Sequence, residues 1–285
     1  MPSSNTIGAS VDTALPVVDV AMGDLPRRAL SALVVAPPAV LAAWAGAPYF
    51  GALVLVAALV LAWEWDRMCD GRFGPAGIVL AFSVAVVAGF GWLGEWRWGL
   101  ATAAAGFGAV FAVERSTRRE AAFWAAFGAF YVGVPALAIL WLRADPEAGR
   151  ASVLWLIAVT AATDVGAYFS GRVMGGPKLA PRVSPGKTWA GLFGGVIAAG
   201  AAGAAGGWLV EGRVVVLAGA GVMLALVGQA GDLFESAAKR RFGRKDMSGL
   251  IPGHGGLFDR VDGLVVVILA VAVATLFIGA PVPRW

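Results

Sequence analysis

The sequence predicts an all-α, polytopic integral membrane protein with about nine transmembrane helices and a cytoplasmic N-terminus. Composition points there first: 59% of the 285 residues are apolar, 14% are charged, and mean hydropathy is +0.78. A soluble domain of this length would need many more charges to clothe its surface. Run length points the same way, because a bilayer core takes about 20 apolar residues per helix and nine segments meet or approach that length. The distribution of cations supplies orientation. With the N-terminus inside, 17 of the 22 Lys and Arg residues fall in cytoplasmic connections and 5 on the opposite side, as the positive-inside rule requires.

Residues 1–26 are mixed polar without periodicity and read as a flexible cytoplasmic tail. Arg27 and Arg28 precede the first apolar run, 29–46. AWAGA at its end could pass for a signal-peptide cleavage site, but the long polar leader and the further spans favour a retained helix. A short Gly46–Pro48 turn leads into the second span, 49–64. Then come 75–93, a short glycine-interrupted run at 98–113, and 121–142, followed by 152–170, 189–209, 214–231 and 262–280. This divides the chain into an N-terminal transmembrane region, 27–150, and a C-terminal transmembrane region, 151–285, in which the polar, motif-bearing connections lie and which is therefore expected to be the catalytic one. In the seventh span Gly191, Gly195, Ala199, Gly203 and Gly207 recur at four-residue steps. They draw a small-residue stripe that allows close helix packing, and such a stripe would also allow a homodimer. The single Cys69 forms no intramolecular disulfide. A net charge of +4 and a pI near 9.6 follow from cation-rich cytoplasmic loops. No basic, aromatic platform outside the membrane suggests nucleic acid.

The polar connections 171–188 and 232–261 should both face the cytoplasm. The stretch Ser236–Asp262 holds 6 of the 22 cations, the only histidine and a run of glycines. Asp232 directly follows the eighth apolar run, while Asp259 and Asp262 directly precede the ninth. The intervening loop leaves and returns to one membrane face, so these carboxylates can converge. Asp259 and Asp262 also share a helical face. Hard oxygen ligands beside phosphate suit Mg2+; capping of a helix N-terminus is the alternative for each aspartate. Lys239, Arg240, Arg241, Arg244 and Lys245 have an alternative as snorkelling cations against anionic lipid, and Arg241 and Arg244 are assigned to it. Lys245 adjoins Asp246 and the GLIPGHGG stretch. His254, flanked by Gly253 and Gly255, could hydrogen-bond a phosphate; no second histidine exists to build a zinc site.

In the other connection Ser184, Lys187 and Thr188 lie within SPGKT. The GKT is shared with phosphate-binding loops, but the first glycine of that motif and a preceding strand are missing. A cation and two hydroxyls remain where a helix begins, a place that favours anions. Asp164 and Tyr168, one turn apart inside the sixth span, should face a cavity or a partner, because a carboxylate in hydrocarbon is costly. Glu64 and Asp66, at the end of the second span, could equally be interfacial.

These residues together resemble the phosphatidate cytidylyltransferases. Their signature runs Ser-x-apolar-Lys-Arg, four residues, Lys-Asp, then a stretch ending His-Gly-Gly-apolar-x-Asp-Arg-apolar-Asp. The chain supplies Ser236, Lys239, Arg240, Lys245, Asp246, Pro252, His254, Gly255, Gly256, Asp259, Arg260 and Asp262 at that spacing. GDLFES (Gly231–Ser236), TDVGAYFSGR (Thr163–Arg172) and SPGKTWAG (Ser184–Gly191) also resemble the family. The chain departs at Ala238, where a larger apolar residue is usual, and at Ala190, where many members carry glutamate. The resemblance spans roughly 160–265; earlier spans match only in hydrophobicity.

The resemblance implies attack of the phosphate of phosphatidic acid on the α-phosphorus of CTP, giving CDP-diacylglycerol and pyrophosphate. It implies Mg2+ as cofactor and leaves open a second cation such as K+. The implied setting is a bacterial inner membrane, with the site facing the cytoplasm. Asp232 and Asp259 would hold the metal, with Asp262 assisting. Lys239, Arg240, Lys245 and Lys187 would grip phosphates. Ser184, Thr188, Ser236, Asp246, His254, Arg260 and Asp164 would be further substrate contacts. Two rivals stand beside this reading: a CTP-dependent kinase of polyprenol or phytol type, and a transporter using Asp164 and Glu64. A transporter would more often show paired repeats.

Overall fold

The computed structural model describes residues 37–117, 119–250 and 255–285. Within them the chain is a bundle of helices with one small hairpin. The first expected span lies only partly inside this range, and its described part, α1 (residues 37–45), is helical. α2 (Tyr49–Asp70), α3 (Pro75–Trp92) and α4 (Trp96–Thr117) follow, then α5 (Arg119–Tyr131) and α6 (Gly133–Ala144). The second half holds α7 (Gly149–Met174), α8 (Trp189–Leu209), α9 (Val214–Arg241) and α10 (Phe258–Ile278).

Among the described residues seven helices are long and apolar enough to cross a membrane. They are α2, α3, the stretch Ala121–Ala144, and α7 to α10. α4 has the length, but Arg97 and its glycines dilute its apolarity. α5 and α6 make up one span, interrupted at Val132. Pro135 has no N–H to offer the carbonyl of Tyr131, which is how proline opens a helix.

Several helices run further than the apolar runs suggest, and this decides where the chemistry sits. α9 continues ten residues past Gly231, so Asp232 to Arg241 are helix rather than loop. Alanines, a Glu235–Lys239 ion pair one turn apart and cations in the last turn all favour that extension. α10 starts at Phe258 and therefore carries Asp259 in its first turn. α7 runs through Arg172, and α2 runs past Glu64 to Gly71. At Gly71, φ is +84°, and its N–H returns to the Arg67 carbonyl at 3.0 Å.

The expectation of an all-helical chain needs one amendment. Within 171–188 a short antiparallel hairpin forms from β1 (Lys178–Ala180) and β2 (Ser184–Thr188). It delivers Lys187 and Thr188 to the start of α8. Thr188 then caps that helix, its Oγ1 accepting from Gly191 N at 3.0 Å.

The small-residue stripe is buried as expected, since Gly191, Gly195, Ala199, Gly203 and Gly207 are the buried residues of α8. Its partners are internal. A methyl on Gly195 would come within 2.9 Å of the Thr163 carbonyl of α7, and one on Gly203 would collide with the Leu217 carbonyl of α9. The stripe is used by α7 and α9 and so does not provide a face for a second copy of the chain. The larger side chains pack elsewhere. Trp65 of α2 is fully buried against Tyr131 and Phe258, at ring separations of 5.0 and 5.7 Å. Its indole N–H is satisfied by the Trp124 carbonyl at 2.7 Å.

Candidate active site

The chemistry-bearing connections share one end of the bundle. Contacts across that end include Gly71 beside Arg244 and Glu64 bonded to Ser248 and Leu257. A cavity of about 380 Å3 opens there between α7, α8, α9 and α10. α7 supplies Thr163, Asp164, Tyr168 and Arg172 to its wall; Lys187 and Thr188 come from the hairpin, Asp232 from α9 and Asp262 from α10. Asp164 has exposed surface although it lies midway along an apolar helix. That surface is cavity wall, which is how a carboxylate is tolerated at this depth.

Carboxylate oxygens of Asp232, Glu235 and Asp262 all lie within 4.8 Å of one another. Asp232 and Glu235 stand three residues apart on one face of α9, and Asp262 meets them from α10. Three hard oxygen donors converging from two helices fit a small divalent cation such as Mg2+, with positions left for water or phosphate oxygens. Lys187 Nζ is ion-paired with Asp232, which sets a cation directly beside the cluster.

The expected metal trio differs from this cluster by one member. Asp259 is engaged otherwise: its Oδ1 receives Lys239 Nζ at 2.6 Å, and its Oδ2 accepts from Gly256 N at 2.7 Å and Met247 N at 3.0 Å. With both oxygens bonded, it organises the loop before α10. Glu235 takes the third place in the cluster. Lys239 likewise departs from the expected phosphate grip. It is buried between Asp259 and Glu235 Oε2, at 2.6 and 2.7 Å, and joins the metal-type cluster to Asp259.

Arg240, Lys245, Asp246 and Arg260 are exposed at the same end but are not among the residues lining the cavity. Ser184 and Ser236, half-buried, are outside the lining as well. His254, and Pro252 of the signature, lie outside the described residues. Of the expected contacts, Asp164, Lys187, Thr188, Asp232 and Asp262 are gathered around one space.

Two residues not singled out for this site belong to it. Glu235 was legible from its three-residue spacing to Asp232 in GDLFES. Arg172 follows Asp164 and Tyr168 at four-residue steps, so it continues their face of α7 into the cavity mouth. Its Nη1 lies 3.5 Å from the Tyr168 hydroxyl. The arrangement therefore offers carboxylates for a cation, with Lys187 and Arg172 for phosphate oxygens.

Known proteins are similar to the chain over most of its length. The profile of the Cytidylyltransferase family matches residues 26–278. A phosphatidate cytidylyltransferase of Brucella suis is 38% identical over 261 residues, covering 86% of this chain and 90% of the relative. Those of Haemophilus influenzae and Pseudomonas aeruginosa are 32% and 33% identical over 86% of the chain, covering 96% and 94% of the relatives. With a match running from before the first described helix to the end of α10, the chain belongs to the cytidylyltransferase family.

Proposed function

We propose that the protein transfers the cytidylyl group of CTP to phosphatidic acid, giving CDP-diacylglycerol and pyrophosphate. The observation that carries this reading is the convergence of Asp232, Glu235 and Asp262 beside Lys187, with Asp232, Asp262 and Lys187 lining a cavity bounded by apolar helices and Glu235 buried behind them. Such a space can admit a lipid phosphate from the membrane and a nucleotide from water. The relatives' shared name supplies the substrates.

In the proposed reaction a phosphate oxygen of phosphatidic acid forms a bond to the α-phosphorus of CTP. The bond from that phosphorus to the β-bridging oxygen breaks, and its electron pair leaves with pyrophosphate. A phosphate monoester is already ionised near neutral pH, so little base catalysis is needed. The barrier is the meeting of two anions, and fixed positive charge lowers it. Asp232, Glu235 and Asp262 would hold Mg2+, which when bound neutralises charge on the triphosphate and the leaving group. Lys187 and Arg172 would grip phosphate oxygens. Asp164 and Thr188 line the space in which the nucleotide and headgroup meet. Lys239 and Asp259 hold the cluster in place from behind, and Arg240, Lys245 and Arg260 make the exposed rim at that end positive. A second cation such as K+ could share the carboxylates.

The same reading takes the cation-rich end of the bundle as cytoplasmic. It counts nine spans with the N-terminus inside, in the inner membrane of a bacterium. Substrate acyl chains stay in the inner leaflet. Purified protein incubated with phosphatidic acid, CTP and Mg2+ should yield a nucleotide-linked lipid and pyrophosphate. Formation of CDP and a phosphorylated alcohol instead would mark a lipid kinase and overturn the assignment.

A further inference from the structure

Glu64 takes no part in the reaction above, yet its carboxylate is wholly buried and bonded to one loop and one helix start. Its Oε1 accepts from Ser248 Oγ at 2.5 Å and Leu257 N at 2.9 Å; its Oε2 accepts from Phe258 N at 2.7 Å. We propose that Glu64 is a positioning residue for cytidylyl transfer, clamping the start of α10 so that Asp262 meets Asp232 and Glu235. This rests on the function proposed above.

The first N–H groups of a helix have no partner within it, and a polar N-cap side chain normally accepts from one of them. α10 has Leu257 at that position and no side-chain cap of its own. The acceptor arrives instead from α2, 193 and 194 residues earlier in sequence. A negative charge there is also favoured by the helix dipole. Gly256 makes the approach possible, since any Cβ at that position would run into the Glu64 carboxylate. Trp65, the next residue of α2, packs on Phe258, so the clamp is backed by an apolar contact.

Ser248 and Leu257 are thereby fixed to one carboxylate. Asp262 sits one turn beyond Phe258 on the same helix, so its place in the cluster follows from where that helix begins. A glutamine at position 64 would keep the shape but turn one acceptor into a donor facing donors.

The test is Glu64→Gln in the full-length protein, followed by hydrogen exchange of peptides covering 246–262 and by Mg2+ titration of activity. Exchange should quicken several-fold in that segment while α7 and α8 stay protected. The Mg2+ concentration for half-maximal rate should rise by about tenfold, as when an outer partner of a metal ligand is lost. Ser248→Ala, which removes one of three donors, should shift both readouts the same way by less. Unchanged exchange at 246–262, an equal rise across all helices, or a wild-type Mg2+ dependence in Glu64→Gln would overturn the proposal. If the wild-type protein makes no CDP-lipid, the functional reading fails, while the exchange arm still decides whether Glu64 clamps α10.

Discussion

The helices before residue 145 and those after it bury their surface in different ways. In the first half 44%, 44% and 78% of the apolar window of each candidate span is enclosed by protein, against 28% in each of the four later ones. The first half is closed by large side chains: Trp65, Phe127, Tyr131 and Leu80 interlock around one core. The second half is closed by glycine. α8 lies between α7 and α9 with backbone against backbone, leaving its neighbours' outer faces to lipid and a cavity on the α7–α10 side. One half supplies a rigid packed wall, and the other holds charges around an open space. Glu64, Trp65 and Phe258 are where the wall meets the site.

Loss of a carboxylate from the cluster in the second half should cost turnover without unfolding, and truncation of a packed side chain in the first half should cost stability without slowing turnover. The largest effect is expected for Asp262→Asn. Loss of one of three converging carboxylates should lower kcat by roughly 10^2- to 10^3-fold, with the protein still folded by circular dichroism. Asp259→Asn should behave differently. Removing a partner from a buried ion pair should cost about 3 kcal/mol of stability, read from denaturation in detergent, while lowering the rate by about tenfold to a hundredfold. A loss of rate equal to that of Asp262→Asn, with stability intact, would return Asp259 to the metal set.

In the packed half, Leu80→Ala empties a fully buried site and should cost about 3 kcal/mol, with kcat per folded molecule unchanged. In the second half, Gly203→Leu would force α8 away from α9, and a penalty of about 2 kcal/mol should appear as a lower melting temperature. Lys187→Met should have the smallest effect. It removes one charge-assisted contact, so KM for CTP should rise by about tenfold with a weaker effect on kcat.

Much of this division was legible in the residues. Apolar run length located the helices, because hydrocarbon demands it, and the four-residue glycine step identified the close-packed face of α8. Run length failed at helix ends. Polar residues continue α2, α7, α9 and α10 once they have protein partners, and hydropathy does not report partners. The site followed the same pattern. Asp232, Asp262, Lys187 and Asp164 were recognisable from residue type and place. Spacing did not separate Asp259 from Glu235, since Glu235 stands three residues from Asp232 and Asp259 stands three residues from Asp262. What separates them is where Lys239 and the backbone N–H groups of Met247 and Gly256 point, a matter of tertiary structure. Glu64 was equally hidden, because an acid at a helix end reads as interfacial until its distant donors are seen.

The central claim is that Asp232, Glu235 and Asp262 form one divalent-cation site, and Mn2+ binding followed by electron paramagnetic resonance tests it most directly. Purified wild-type protein should show a saturable site that is lost or greatly weakened in Glu235→Gln and in Asp262→Asn. Wild-type affinity retained in both variants would contradict it.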